Sequence, residues 1–381
     1  MPKRVLPMSK LTELIEELCP EGVGYEPLGE VVQIRNGQDW KSQAPGDIPV
    51  YGSGGRMQQS VAVASSEGPS VLLPRKGSLE IQYVEEPIWN VDTVFTTVCD
   101  VEVLNTRFFY FVMKTIDLRR ISTSATRPSL TQSALRKLSI PVPPLEVQQE
   151  IVRVLDAFTD LEQSLVAELE LRKKQFEFYR GQLFHFDHSV EWSTLGDVSL
   201  KVTSGGTPSS KKTSYYGGDI PWLRTQEVNF EDIYSTGVSI TEEGLNNSSA
   251  KWIPANCVIV AMYGATAAKS AINAIPLTTN QACCNLQIDP SLAEYRFVYY
   301  WVSHMYEHLK KLGEGSQSNL NAKKVKSFPV PVPPLETQRE IIDKLCEFES
   351  LIQSTEREIV LRRKQYEFYR DELLCFTVKE A

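Results

Sequence analysis

Histidine is scarce in this chain, with four in 381 residues, and its seven cysteines (Cys19, Cys99, Cys257, Cys283, Cys284, Cys346 and Cys375) include no C-x-x-C pair. An odd, irregularly spaced set excludes a disulfide scaffold and a zinc ribbon, and fits reduced, mostly buried thiols. No stretch approaches the roughly 18 apolar residues of a membrane span. The N-terminal run MPKRVLPMSKLTELIEELCPEG has no apolar core of signal-peptide type. A cytoplasmic protein with no membrane partner is expected. Phosphate-binding glycine loops are missing too. Gly52-Ser53-Gly54 has Met57 where G-x-G-x-x-G needs its last glycine, and the 205–213 loop has Ser210 where a P-loop needs glycine before lysine. The Asp/Asn-Pro-Pro-aromatic segment of an adenine methyltransferase is absent as well; Pro-Pro-Leu occurs only at 143–145 and 333–335. His304-Met305-Tyr306-Glu307-His308 fits the H-x-x-E-H pattern of inverted zinc proteases. It lacks a clear third ligand, and the matching helix of the first half has no histidine, so a surface or packing role is expected. Neither a catalytic residue, a metal site nor a cofactor of its own is expected.

Positive charge is also lacking. The net charge is −8, which taken alone argues against a nucleic-acid binder. The distribution weakens that argument. Lys+Arg against Asp+Glu is 15 to 16 over residues 1–137 and 12 to 13 over 187–327, but 5 to 8 over 138–186 and 8 to 11 over 328–381. Two segments are near neutral and free to carry local basic surface; the surplus acid sits in the other two.

What the chain does have is an internal repeat. PVPPLEVQQEI (141–151) returns as PVPPLETQREI (331–341), and LRKKQFEFYRGQLFHF (171–186) as LRRKQYEFYRDELLCF (361–376), at a constant offset of 190 and with about half of 49 positions identical. A period this long means duplicated domains, not a solenoid. Each repeated segment reads as one helix. Pro143-Pro144 and Pro333-Pro334 end an extended lead-in, the second proline suiting the first helical position. Glu146, Glu150, Glu336 and Glu340 place negative charge near the helix start. Apolar residues then recur at three- and four-residue steps: Ile151, Leu155, Phe158, Leu161, Leu165, Leu169, Phe176, Tyr179 and Leu183, matched by Ile341, Leu345, Phe348, Leu351, Ile359, Tyr366, Tyr369 and Leu373. Helices of about 40 residues would run roughly 60 Å. So narrow a seam needs a partner, and the other copy is the nearest candidate; the alternative is that each helix packs on its own domain. Antiparallel pairing would place the two domains at opposite ends of a rod. Arg172 and Arg362 fall on the seam, where they fix register or snorkel outward, with Glu168 and Glu358 four residues earlier as partners.

The segments before each helix agree only in outline. Leu28-Gly29-Glu30-Val31 resembles Leu195-Gly196-Asp197-Val198, Gly46-Asp47-Ile48-Pro49 resembles Gly218-Asp219-Ile220-Pro221, and Arg107-Phe108-Phe109-Tyr110-Phe111 resembles Arg296-Phe297-Val298-Tyr299-Tyr300. Short β-like runs such as SVLLPRKGSLEIQYV, NVDTVFTTV and WIPANCVIVAMYG alternate with Gly- and Ser-rich turns. Two mixed α/β domains follow, each ending in a helix near 105–119 and 293–312. The division expected is 1–137, helix segment 138–186, 187–327, and helix segment 328–381. The loops pair glycine turns with cations and small polar residues, the chemistry of phosphate contacts. Arg, Asn and Gln add the side chains that read base edges. The candidate DNA-contacting residues are Gln38, Lys41, Ser53, Arg56, Arg75, Lys76, Ser78 and Arg127 in the first domain. In the second they are Ser204, Thr207, Ser209, Lys211, Lys212, Arg224, Gln226, Tyr263, Lys269, Asn280, Gln281 and Asn319.

The order domain, helix, domain, helix, the Pro-x-Pro-Pro-Leu-Glu-x-Gln entries at 141–148 and 331–338, and the basic-Gln-aromatic-Glu-Phe-Tyr-Arg runs at 172–180 and 362–370 together resemble the specificity (S) subunit of a Type I restriction–modification system. The resemblance covers essentially the whole chain. It implies two α/β target-recognition domains separated by two long spacer helices paired as an antiparallel coiled coil. Each domain would read one half of a split, asymmetric site on double-stranded DNA, with half-sites about one helical turn, roughly 34 Å, apart. The helices would set the gap and dock two methyltransferase (M) subunits, which bind S-adenosylmethionine and methylate adenine at N6; restriction (R) subunits are further partners. The helix residues for spacing and docking are Leu155, Phe158, Arg172, Phe176 and Tyr179, with Leu345, Phe348, Arg362, Tyr366 and Tyr369. Two other readings share these features: an S-like subunit of a combined restriction–methylation enzyme, and a helical scaffold that joins partners without DNA.

Overall fold

The computed structural model describes residues 8–123, 128–187, 189–313 and 319–379. The chain divides into two compact units, and the division does not follow chain order. One unit joins the chain up to Ala167 with the segment from Arg357 onward; the other is Glu168–Glu356. Each unit therefore holds one mixed domain, the first part of the long helix that follows that domain, and the last part of the other long helix.

In the first unit the domain is closed where it begins and ends. Strand Tyr25–Pro27 pairs antiparallel with Ser139–Pro141. Between them lies a four-stranded antiparallel sheet in the order Val32–Asn36, Val94–Cys99, Ser70–Pro74, Gln82–Val84. A second sheet orders Gly55–Val61, Pro45–Gly52 and Trp89–Asn90. The helix Thr106–Thr115 starts at Asn105, whose side chain accepts the Arg107 and Phe108 amides. It buries Phe108, Phe109, Phe111, Val112 and Met113 in a core shared with Val71, Leu73 and Phe95 of the first sheet. The second unit repeats the plan. Trp192–Thr194 pairs with Pro329–Pro331. A five-stranded sheet orders Ser199–Ser204, Cys283–Ile288, Val258–Ala261, Ser270–Asn273 and Asp232–Ile233. A four-stranded sheet orders Ser239–Ile240, Tyr216–Leu223, Leu277–Thr279 and Trp252–Ile253. The aromatic helix Tyr295–His304 lies against the five-stranded sheet's core.

The long helices run Leu145–Leu183 and Leu335–Leu373, equal in length and in the same register of the repeat. Each begins one residue later than the proline expected to open it. Pro144 and Pro334 stand just outside, their carbonyls accepting the first helical amides from Gln148 and Gln338 at 3.1 and 3.0 Å. Within each unit the two helix portions pair antiparallel. In the first, Phe158 stacks on Tyr369 with ring centroids 5.4 Å apart, and Glu162 takes a 2.6 Å contact from Arg363, so rising numbers on one helix meet falling numbers on the other. In the second, Tyr179 stacks on Phe348 at 5.2 Å and Lys173 meets Glu356 at 3.0 Å. Leu155, Leu165, Ile359 and Leu373 are buried in the first unit, Ile341 and Leu345 in the second. Arg172 and Arg362 stay on their own helices, bound to Glu168 and Glu358 one turn back.

The repeated glutamine of the entry motif, which no local pattern singles out, proves structural. The Gln148 amide is fully buried. Its oxygen accepts the Asn105 amide at 2.8 Å, and its nitrogen donates to the Val103 and Pro143 carbonyls at 2.8 and 2.7 Å. Gln338 repeats all three bonds, to Glu294, Leu292 and Pro333. Each long helix is clipped in this way to the loop that launches helix Thr106–Thr115 in the first domain and Tyr295–His304 in the second.

Candidate nucleic-acid interface

In the first domain, four loops meet at the turn 90–93. The Gln38 amide donates to the Asn90 carbonyl at 3.0 Å, and Val91 donates to the Tyr51 carbonyl at 2.9 Å. Ser53 donates its amide to Thr93 Oγ1 at 3.1 Å, and the Arg75 amide donates to the Thr93 carbonyl at 2.8 Å. Lys76 is bridged to Ser129. Gly37 is required here: a Cβ would lie 2.0 Å from the Val91 carbonyl oxygen. At the tip, Lys76 Nζ is 3.5 Å from Asp92 Oδ2, and the Arg75 guanidinium donates to the Asp92 carbonyl at 3.3 Å.

The second domain rebuilds this frame with other side chains. Gly206 donates to the Thr279 carbonyl and Asn280 to the Leu223 carbonyl, both at 2.9 Å, where the first domain uses Gln38 to Asn90 and Val91 to Tyr51. The turn closes by Cys283 donating to Asn280, as Val94 donates to Val91. Strand register agrees: Phe95 faces Asn36, and Cys284 faces Ser204. Gly205 matches Gly37, its hypothetical Cβ 1.8 Å from the Thr279 carbonyl oxygen. Asp92 and Gln281 therefore occupy one place in the two frames, as do Asp39 and Thr207. Thr207 donates its hydroxyl to the Gln281 amide oxygen. The Asn280 side chain stiffens the turn by accepting the Ala282 amide at 3.2 Å.

The sequence candidates divide accordingly. Gln38, Ser53, Arg75 and Lys76 gather at the first tip, and Thr207, Asn280 and Gln281 at the second. Ser204 lies half-buried at the strand end leading to it. Other cations have partners within the chain. Arg224 is half-buried against Glu227 at 3.0 Å, Lys212 donates to the Tyr215 hydroxyl at 2.8 Å, and Lys269 donates to Asn229 at 2.6 Å. Arg56 lies 3.9 Å from Glu86. Lys41, Ser78, Ser209, Lys211, Gln226, Tyr263 and Asn319 are exposed. Arg127 lies outside the described residues. Asp92, which completes the first tip, was missed because NVDTVFTTV reads as one strand; its Asn-x-Asp-Thr start was the available turn signal. His304 stacks on Phe184 at 5.4 Å, with burial and the nearby Arg180 holding its pKa below the usual histidine value. Among the described residues, no three His, Cys, Asp or Glu side chains converge as a metal site requires, and no helix is long and apolar enough to cross a membrane.

Two charged clusters brace the domains on the helices. Arg107 lies 4.5 Å from the Tyr83 ring centroid and pairs with Asp156 at 2.7 Å. In the second unit Arg296 turns instead to Asp232 at 2.6 Å, and the Tyr300 hydroxyl donates to Glu349 at 2.6 Å. Burial pushes the Glu349 carboxyl above the usual carboxylate range.

The model of the Type I restriction modification DNA specificity domain matches residues 20–171 and again 189–361. The chain belongs to the specificity subunits of Type I restriction–modification systems. The specificity subunit shared by the Escherichia coli enzymes EcoR124I and EcoR124II is 36% identical over 303 residues, covering 75% of this chain and 74% of that one. A putative Type I specificity subunit of Haemophilus influenzae is 30% identical over 387 residues, with 93% and 96% covered. The crystal structure of the S subunit from M. genitalium superposes with a TM-score of 0.60 over 92% of this S subunit and 95% of that one. The HsdS subunit from Thermoanaerobacter tengcongensis superposes with a TM-score of 0.52. At 15% and 16% identity these two structures speak for the fold. The S-subunit assignment makes DNA sequence specificity the task of this chain.

Proposed function

We propose that this S subunit performs no chemistry itself. It reads a bipartite, asymmetric DNA site, one half per domain, and directs two methyltransferase subunits to adenine N6 there, with restriction subunits joining the same assembly. The observation that carries this reading is the pair of tips: one hydrogen-bonded frame, built twice, bearing different side chains. A conserved frame fixes where the reading edge stands, and the changed side chains alter what it accepts. S-adenosylmethionine would be bound by the methyltransferase partners, which also supply phosphate-neutralising charge that a chain of net charge −8 does not.

For partner docking, the helix seam is already used. Leu155 and Leu345 are fully buried, and the four ring residues Phe158, Tyr369, Tyr179 and Phe348 pair with each other. The most exposed apolar residues of the long helices are Leu171 with Phe178, 66% and 62% exposed, and the copy of that pair, Leu361 with Phe368, 64% and 61% exposed. Seven residues apart, each pair shares one helix face. Two equal faces suit two equal partners.

The test is exchange of residues 187–327 for the matching segment of a relative, followed by methylome sequencing of cells carrying the hybrid and its methyltransferase. One half of the methylated site should change and the other stay. A change in both halves would refute the modular reading.

A further inference from the structure

Resting on that reading, we propose that Gln281 and Asp92 are the specificity-determining residues of their domains: Gln281, set by Thr207, reads an A·T pair, and Asp92, coupled to Lys76, reads a G·C pair. Both stand at the same point of the duplicated frame, on a turn whose backbone is tied at each end, so their side chains reach outward from fixed origins. Three other long polar side chains of the second domain are less free. Arg224, Lys212 and Lys269 are held by Glu227, Tyr215 and Asn229.

The chemistry follows from the side chains. Gln281 is exposed, and among the described residues its amide nitrogen has no partner. The Thr207 hydroxyl occupies one lone pair of the amide oxygen and orients the group. The second lone pair can accept from adenine N6–H while the nitrogen donates to N7, the bidentate pattern that distinguishes adenine in the major groove. Asp92 only accepts. It fits cytosine N4–H, while the Lys76 ammonium 3.5 Å away donates to O6 or N7 of the paired guanine. A donor–acceptor amide at one site and an acceptor–cation couple at the other would make the two halves prefer different base pairs.

The test uses the full chain in complex with its methyltransferase subunits. A duplex library with randomised positions gives the selected site, and single-base variants of that site give the discrimination at each pair. Gln281→Ala should lower discrimination at one A·T pair roughly 5- to 150-fold, leaving the other half-site untouched. Thr207→Val should weaken discrimination at that same pair. The isosteric Gln281→Glu, which accepts but cannot donate, should shift preference there towards C·G. Asp92→Asn should act on one pair in the other half. If the wild-type complex selects a split site but Gln281→Ala and Gln281→Glu leave every pair as before, the assignment is wrong while the bipartite reading stands. Effects of Thr207→Val and Gln281→Ala at different pairs would also overturn it. A wild-type complex with no sequence preference would remove the proposed function itself, and this inference with it.

Discussion

Gln148 shows how much one side chain can carry when it is buried among backbone groups. It satisfies the Asn105 amide and the Val103 and Pro143 carbonyls, and Gln338 does the same for Glu294, Leu292 and Pro333 190 residues later. Removing the amide leaves those groups without partners, each at a cost of about 1–3 kcal/mol. Gln148→Leu should therefore destabilise the first unit by on the order of 3 kcal/mol in urea unfolding, and Gln338→Leu the second by a similar amount. A loss no larger than that of an exposed glutamine on the same helix would show that the clip contributes nothing. Glu349 works in the opposite sense. Its carboxyl is raised above the usual 4.5 chiefly by burial, against the opposing hydrogen bond from Tyr300. A folded-state value above the unfolded one means the protonated form favours folding. That contribution is complete below the unfolded pKa and is lost as pH rises through the folded one. Glu349→Gln stays neutral and still accepts from Tyr300. Its melting temperature should gain on the wild type as pH rises from about 4 to 7; parallel curves would show that Glu349 is not ionising inside the fold.

At the scale of the element, the long helices were legible and the sheets were not, for physical reasons. A helix is written locally: the acidic first turn and the three- and four-residue apolar steps fall within Leu145–Leu183 and Leu335–Leu373, and the proline entry stands directly before them. Even so, the seam was narrower than the apolar pattern. Leu161 and Leu351 are 37% and 43% exposed, while Glu150, a charge read only as favouring the helix start, is buried. Glu150 is there because Lys10 and Arg153 reach it at 3.1 and 2.6 Å, and they hold its carboxyl below the usual range. No local pattern announces a partner 140 residues away. The strands are two to eight residues long and their partners distant, as with Val32–Asn36 beside Val94–Cys99, so their pairing is decided by closure of the domain. The candidate site was legible by half for the same reason. Asn280 and Gln281 stand out as base-reading side chains, but that Asp92 holds the equivalent place is visible only through the bonds from Gln38 and Val91.

For the molecule as a whole, duplication has a consequence that neither domain has alone. The copies diverged where they are read as meeting DNA and stayed alike along the helices, so whatever binds one helix face should bind its copy. Leu171 with Phe178 and Leu361 with Phe368 keep their identity through the repeat although more than 60% exposed, a state that is unfavourable for a large apolar side chain left in water. Each ring packs edge-on against the tyrosine beside it, Phe178 on Tyr179 at 5.4 Å and Phe368 on Tyr369 at 5.5 Å, while the stacking across the helix pair is made by the tyrosines, so most of each phenylalanine stays in solvent. On the proposed reading, a methyltransferase subunit at each face accounts for the retention. Phe178→Glu should then remove one methyltransferase subunit and Phe368→Glu the other, each single variant giving a complex with one partner by native mass spectrometry and the double variant giving none. The melting temperature of the isolated chain should change little in all three, since each ring is mostly exposed and makes only an edge contact with its neighbouring tyrosine. Two partners retained in the double variant would place docking elsewhere on the chain, and the loss of both from a single substitution would mean that the two faces do not act independently.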